Sequence, residues 1–236
     1  MKETFHIISD GSCDLPVELA QEKNITVVPF YVSFDDKNYF KENVEIGIRD
    51  FYTQMVEKKG VYPKSSMPSI QDYEEAFLPF AREDVPVICI CITTKFSGSM
   101  QSAQGARAIV LETYPNAQIT IIDSTINTVL QGQYVLEAVN LRDGGVSYQD
   151  TIARLEEIKS TGRIFFTVGN MEYLRHGGRI GKVAALAGGA LDIRPVITLK
   201  QGEIFPSGID RGRKRTTKKV MNLLLEYLKE SPLDIG

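Results

Sequence analysis

Between Val85 and Tyr114 an apolar, β-branched run ends on a knot of hydroxyls around one glycine, and a helical pattern begins at once. A strand that feeds a helix through so short a connection points to an α/β fold, because a parallel neighbour needs a crossover, usually a helix. The connecting loop carries Thr93, Thr94, Ser97 and Ser99 around Gly98. Hydroxyls donate hydrogen bonds, and a helix start offers free N–H groups and a partial positive charge, so the segment is suited to holding an oxyanion. It lacks the lysine of the phosphate-binding GxxxxGK(S/T) loop, which argues against a nucleotide phosphate.

The same alternation runs through the first two-thirds of the chain. Phe5–Ser9, Ile25–Phe34, Val85–Ile92 and Ile119–Asp123 read as strands. Ile48–Lys58, Ile70 to about Arg82, the face shared by Met100, Ala103, Ala106 and Val110, and about Asn127 to Arg142 read as helices. Asp14-Leu15-Pro16 reads as a helix cap, and Gly60–Ser69 as a loop. The expected fold class is α/β, with a doubly wound, mainly parallel N-terminal sheet over residues 1–155. After Gly144-Gly145 the character changes: a helix over Ser147–Lys159, a strand at Arg163–Val168, a hairpin around Lys200-Gln201-Gly202 and a last helix from about Thr216 to Lys229. Residues 156–236 are therefore expected to form a smaller α+β domain with antiparallel strands.

Composition narrows the function classes. A net charge of −3 over 236 residues argues against a broad nucleic-acid surface. No run approaches the roughly 20 apolar residues of a membrane span, so no integral membrane insertion is expected. Three cysteines, two of them in one strand, make no disulfide framework, and a reduced cytoplasm is the expected location.

Polar groups gather at the predicted carboxyl ends of the strands, where open parallel sheets bind ligands: Asp10 and Ser12, Thr93 to Ser99, Asp123 and Ser124. Lys64-Ser65-Ser66-Met67-Pro68-Ser69 is a second hydroxyl cluster. Ser69 has a structural task as N-cap of IQDYEEAF, with Asp72 in the capping-box position, which leaves Ser65 and Ser66 unexplained. One of Ser97 and Ser99 must cap the following helix. A nucleophilic Ser97 would need a base, yet the two histidines are His6, inside the first strand, and His176, in a basic glycine-rich turn. No catalytic residue is assigned. Cys89 and Cys91 read as buried hydrophobes, and Asp10 with Asp123 as capping or turn residues; no metal site and no cofactor is expected. Two cationic clusters remain: Arg175, His176 and Arg179 about two glycines, and Arg211, Arg213, Lys214, Arg215, Lys218 and Lys219. Both have ordinary readings, as a helix C-cap and a solvated helix face, beside a role towards phosphate or an acidic partner.

Five segments in order over nearly the whole chain resemble the DegV family of bacterial fatty-acid-binding proteins. They are Asp10-Gly11-Ser12-Cys13-Asp14-Leu15-Pro16; Ser65-Ser66-Met67-Pro68-Ser69, similar to TSQPS; Phe96-Ser97-Gly98-Ser99-Met100-Gln101-Ser102-Ala103, similar to LSGTYQSA; Leu174-Arg175-His176-Gly177-Gly178-Arg179-Ile180, similar to LxxGGRI; and Ile193-Arg194-Pro195-Val196, similar to IKPI. The resemblance implies a long-chain fatty acid as partner, its acyl chain in an internal tunnel. The carboxylate would be held by the hydroxyl loops, at Ser65, Ser66, Ser97, Gly98 and Ser99. Asp10, Ser12, Arg179, Arg194, Arg211 and Arg213 would support that site or meet phosphate or a partner. By the same resemblance a separate ATP-binding subunit of a fatty acid kinase would phosphorylate the bound acid, so the chain would be a lipid-binding subunit rather than an enzyme by itself. The family pattern also has a C-terminal His-x-Gly-Pro-Gly-like turn whose histidine approaches the carboxylate. This chain ends at Gly236 without it, so a truncated C-terminal domain or a clamp short of one ligand is expected. The competing class is an enzyme or sensor acting on a small phosphorylated metabolite through the same loop and Arg179. Energetically the fatty-acid reading is coherent: hydrogen bonds to a charged group contribute about 1.5–3 kcal/mol each, and an acyl chain about 0.8 kcal/mol per buried CH₂.

Overall fold

The computed structural model describes residues 4–169, 171–187 and 193–230. The chain divides into two compact units, Met1–Lys159 and Ser160–Gly236.

The first unit is built on four parallel strands: β1 (His6–Asp10), β2 (Ile25–Val28), β6 (Val87–Cys91) and β7 (Ile119–Asp123), in the order β2-β1-β6-β7. Every residue of β1 and β6 is buried, as a strand covered on both faces requires. Side chains alternate between those faces. Ile8, Val87, Cys89 and Cys91 meet α3 (Ile70–Arg82) and α4 (Ser99–Thr113) through Tyr73, Phe77, Ala81, Ala103, Ala106 and Val110. On the opposite face lie Ser9 and α5 (Thr128–Asp143), reached by a hydrogen bond from Gln131. Helix α6 (Tyr148–Ile158) packs on α5, where Tyr134 donates to the Leu155 carbonyl at 2.7 Å. Helices thus cover both faces, as the alternation of strands and helices implied.

Two departures from the sequence reading shape the neighbourhood of the site. The run Ile25–Phe34 is not one strand. It breaks at Pro29-Phe30, so that β2 stays in the parallel sheet while β3 (Tyr31–Ser33) leaves it. Strand β3 then pairs antiparallel with β4 (Phe40–Lys41) and with β5 (Lys64–Ser66), so the expected loop Gly60–Ser69 contains a short strand. The expected cap at Asp14 is also displaced. Gly11–Cys13 forms a 3₁₀ turn ending on Asp14 at φ 51°, and α1 (Val17–Glu22) begins after Pro16. Helix α2 (Ile48–Glu57) has no buried residue, and Ile48, Tyr52 and Val56 stand exposed.

In the second unit β8 (Arg163–Thr167), β9 (Ile193–Lys200) and β10 (Glu203–Arg211) form an antiparallel sheet ordered β10-β9-β8. Gln201 at φ 51° and Gly202 at φ 83° make the hairpin between β9 and β10. Helix α7 (Glu172–His176) precedes the Gly177-Gly178 turn, and α8 (Arg213–Glu230) ends the described chain, its Tyr227 hydroxyl reaching the Thr161 carbonyl. Ser231–Gly236, where the expectation of a shortened C-terminus falls, lie outside the described residues.

Candidate functional site

The strand order reverses between β1 and β6: the chain passes from β1 to β2 on one side, then returns to β6 on the other. Ligands of open α/β sheets bind beyond the strand carboxyl ends at such a point. The loops leaving it are the 3₁₀ turn at Gly11–Cys13 and the segment Thr93–Gly98.

Helix α4 begins at the end of that second segment. The Thr93 carbonyl accepts from Phe96 and Ser97 amides at 3.0 and 3.3 Å, which curls the chain into the helix. Gly98 is the N-cap and supplies no side-chain bond, while the Ser97 Oγ accepts from the Ser99 amide at 3.2 Å. The amides of Gly98, Met100 and Gln101 have no acceptor among the described residues. Three free N–H groups at the start of a fifteen-residue helix, with the partly exposed Ser97 hydroxyl beside them, make a place for an anion.

Ser99 serves differently. It is fully buried and its Oγ donates to Asp10 Oδ2 at 2.6 Å. The Tyr73 hydroxyl lies 2.6 Å from the Ser99 Oγ. With its proton on Asp10, the Ser99 Oγ accepts from Tyr73 and has no proton left for a ligand. Asp10 takes further bonds from the Ile92 amide at 3.0 Å, from Gln131 Nε2 at 2.9 Å and from the Ser12 backbone. Burial pushes the Asp10 carboxyl up, and these donors pull it back. Asp10 therefore ties the end of β1 to β6, α4 and α5 behind the start of α4. Gln131 was not singled out by sequence, although it stands on the apolar stripe of α5 with Tyr134, Val135 and Ala138, where a lone amide invites a buried partner.

The second hydroxyl cluster comes close through Met67. A Cβ on Gly98 would lie 2.6 Å from the Met67 sulfur, so the residue after Ser66 rests on the α4 N-cap. Ser65 pairs with Val32 and Ser66 with Tyr31, so the two serines point to opposite faces of β5. Ser65 shares the side of Val32, which lines a cavity of about 150 Å³ whose walls are mixed: Leu15, Val27, Ile46, Ile48 and Phe51 are apolar, while Asp14, Glu42 and Asn43 are polar. Ser66 shares the side of Tyr31, whose hydroxyl donates to Asp72 at 2.9 Å. Asp72 completes the capping box with Ser69 and forms an ion pair with Lys41 at 2.7 Å. That pair and the Ser69 bonds outweigh burial and hold its carboxyl below the usual range.

The neighbouring strand end is tied in as well. Thr94 Oγ1 donates to Asp123 Oδ2 at 2.6 Å, and the Thr93 amide donates to the Ile126 carbonyl at 3.0 Å. Asp123 thus serves as a turn ligand. Thr125 at φ 58° and Thr128 at φ 52° hold the same loop in a left-handed conformation that β-branched residues seldom adopt. His6 is buried and hydrogen-bonded to Thr26 at 2.8 Å, away from Ser97 in role. Cys13, Cys89 and Cys91 are buried free thiols, and burial pushes Cys13 up to about 11. Among the described residues no group of three His, Cys, Asp or Glu side chains could hold a metal, and no helix is long and apolar enough to cross a membrane.

Arg179, Arg194, Arg211 and Arg213 belong to the second unit. Arg179 is exposed and donates to the Gly177 carbonyl. Arg175 and His176 both face Glu172, at 2.9 and 3.5 Å. Arg211, Arg213, Lys214 and Arg215 are exposed around the start of α8, whose first turn holds no acid.

A protein-family model described as "Uncharacterised protein, DegV family" matches residues 4–236. A DegV domain-containing protein of Clostridium acetobutylicum is 34% identical over 220 residues, 93% of this chain and 76% of that protein. Among solved structures, a fat acid (stearic acid)-binding protein from Eubacterium ventriosum is 41% identical with a TM-score of 0.92, covering 96% of this chain and 77% of that one. A DegV family protein from Thermus thermophilus, described by its fatty acid binding, is 29% identical with a TM-score of 0.83, over 95% of this chain and 78% of the other.

Proposed function

Since the chain belongs to the DegV family, we propose that it binds a long-chain fatty acid with the carboxylate at the α4 N-terminus and the acyl chain in an apolar slot. The observation that carries the reading is the 41% identity to a stearic acid-binding protein over nearly the whole chain. The geometry of the first unit supports it. Ser97 Oγ and the amides of Gly98, Met100 and Gln101 are free to donate, and no lysine is needed if several hydrogen bonds hold the anion. Ser65 and Ser66 remain candidate ligands, and Ser65 shares its strand face with Val32 in the wall of the cavity, whose apolar side is formed with Leu15, Val27, Ile46, Ile48 and Phe51. Ser99 and Asp10 hold the frame, and Ser12 adds its backbone donor to Asp10.

In the fuller form of this reading, the protein presents its bound acid to a separate ATP-binding kinase subunit. What supports a protein partner is the start of α8: Arg211, Arg213 and Lys214 are exposed where the helix dipole disfavours positive charge, and an acidic surface would relieve that cost. Arg179 and Arg194 are the candidates to meet the phosphate. A cytoplasmic setting fits three buried free thiols.

Native mass spectrometry of protein purified from cells tests the binding claim. The expected result is a bound mass in the fatty-acid range. A thermal-shift comparison separates the rival class: stabilisation by sugar phosphates, with none by oleate, would replace this reading by one of a phosphorylated metabolite. Pull-down with an ATP-binding kinase subunit tests the partnership, and Arg213→Glu is expected to weaken it.

A further inference from the structure

We propose that Asp10, Gln131 and Ser9 form a one-proton switch behind the α4 N-terminus, so that an anionic ligand enters together with a proton that settles on Asp10. The inference rests on the proposed carboxylate site and adds a linkage to it. Asp10 is fully buried, and all four of its hydrogen bonds come from donors: Ile92 N, Ser99 Oγ, Gln131 Nε2 and Ser12 N. Four donors on two oxygens suit an ionised carboxylate, while burial, the larger effect, still leaves it raised above the usual carboxylate range and so ready to take a proton. The titratable groups around it are acids on every side. They are Tyr73 from α3, Cys89 and Cys91 from β6, Cys13 from the 3₁₀ turn, Asp14 beyond it, and Glu42 after β4, which lies against Gly11. α4 and α5 contribute only the neutral Ser99 and Gln131. Among the described residues no lysine, arginine or histidine pairs with Asp10. The charge is held by dipoles alone, and burial works against it.

An anion at the α4 N-terminus would stand just across Ser99. The Ser99 amide donates to Ser97 Oγ at 3.2 Å, and the Ser99 hydroxyl donates to Asp10 at 2.6 Å. Two negative charges so placed, in a poorly solvated site, favour taking up one proton between them. The fold holds an acceptor for it. Gln131 Oε1 is buried without a partner, while Nε2 donates to Asp10 Oδ1 at 2.9 Å and to Ser9 Oγ at 3.1 Å. A half-turn of the amide exchanges the two atoms and sets Oε1 against Asp10 Oδ1, ready to accept from a protonated carboxyl. The Ser9 hydroxyl, which donates to the Ile90 carbonyl at 2.9 Å, can turn to the same oxygen. One amide atom is left without a partner in either orientation, so neither state is locked. The balance is simple: one proton from solvent binds Asp10, and no covalent bond between heavy atoms forms or breaks.

The test is calorimetric titration of the delipidated full chain with sodium laurate, at one pH in two buffers of different ionisation enthalpy. The expected result is a buffer-dependent enthalpy equal to uptake of about one proton, and an apparent Kd that rises about tenfold per pH unit within the coupled range. Asp10→Asn has no proton to gain, so its enthalpy should be equal in both buffers and its pH profile flat. An infrared difference spectrum with carboxyl-¹³C laurate covers the case in which that variant does not fold. It should show an unlabelled protonated carboxyl appearing on binding. Laurate binding with equal enthalpies in both buffers overturns the switch, as does a proton found on the labelled ligand, or proton uptake that persists in Asp10→Asn. Binding of neither laurate nor oleate is a different result: it removes the proposed function, and the linkage falls with it.

Discussion

Two helical glycines should respond to alanine in opposite directions. Gly105 lies inside α4, and a Cβ there would meet Ile70 Cδ1 at 3.0 Å, the far end of a flexible and partly exposed side chain. Gly132 lies inside α5, and its Cβ would stand 2.5 Å from the Cys13 carbonyl oxygen and 3.1 Å from Leu15 Cδ2. Backbone cannot swing aside, so α5 must lift off the turn that follows β1. Glycine to alanine in a helix interior gains about 0.8–1 kcal/mol in either case. Gly105→Ala should keep most of that gain. At Gly132 overpacking costs about 1–3 kcal/mol or more and reverses the sign. The two variants should differ by roughly 2 kcal/mol, which for a chain of this size is about 4–8 °C in Tm. Urea denaturation and thermal melting of the pair measure it. Equal stability of the two variants would refute the close approach of α5 to the Cys13 carbonyl, and with it the placement of Gln131 against Asp10.

Asp72 yields a prediction with a definite sign. Its folded carboxyl is held below the usual value by Lys41 and Ser69, so its contribution is present above about pH 4, its unfolded range, and fades as pH falls through the folded value. Asp72→Asn should cost about 1.5–3 kcal/mol at neutral pH, with the gap from the natural protein closing in acid, as read by urea midpoints across pH. A gap that stays constant with pH would exclude the ion pair as its source. The three thiols give another: Cys13, Cys89 and Cys91 are buried, and Cys13 is pushed up to about 11, so iodoacetamide should label none of them until the protein unfolds. Rapid labelling of the folded chain, read by mass, would show an open core. Phe77→Ala, at a fully buried position between α3 and the parallel sheet, should lose about 3–5 kcal/mol. A loss under 1 kcal/mol in chemical denaturation would contradict that packing.

The parts of the fold that sequence revealed were those set by local pattern. The apolar run before Thr93 and the helical face from Met100 to Val110 fix β6, the loop and α4 without reference to anything distant. Ser69 and Asp72 showed their capping box because both partners lie three residues apart. Sheet membership is a different matter. Nothing local says that Val28 and Tyr31 belong to different sheets, since both are β-formers and only Pro29 hints at a break. Strand β5 was hidden because Lys64-Ser65-Ser66 is polar and exposed, and it is a strand only by pairing with β3. In the site, the surplus of hydroxyls was visible, but their division of labour was not. Ser99 is spent on Asp10, a residue 89 positions away, and Gln131 reaches the same carboxylate across 121 positions. Contacts of that range leave no periodic trace in one sequence.

The central claim is that a hydroxyl and the free amides at the start of α4 recognise a carboxylate on a long acyl chain. Equilibrium binding of radiolabelled oleate and of the matched alcohol, to the delipidated natural protein and to Ser97→Ala, tests it directly. Oleate should bind well, the alcohol at least tenfold more weakly because charge-assisted bonds are lost, and Ser97→Ala should narrow the gap while the fold stays intact. Equal affinity for acid and alcohol, or an acid preference untouched by Ser97→Ala, would contradict it.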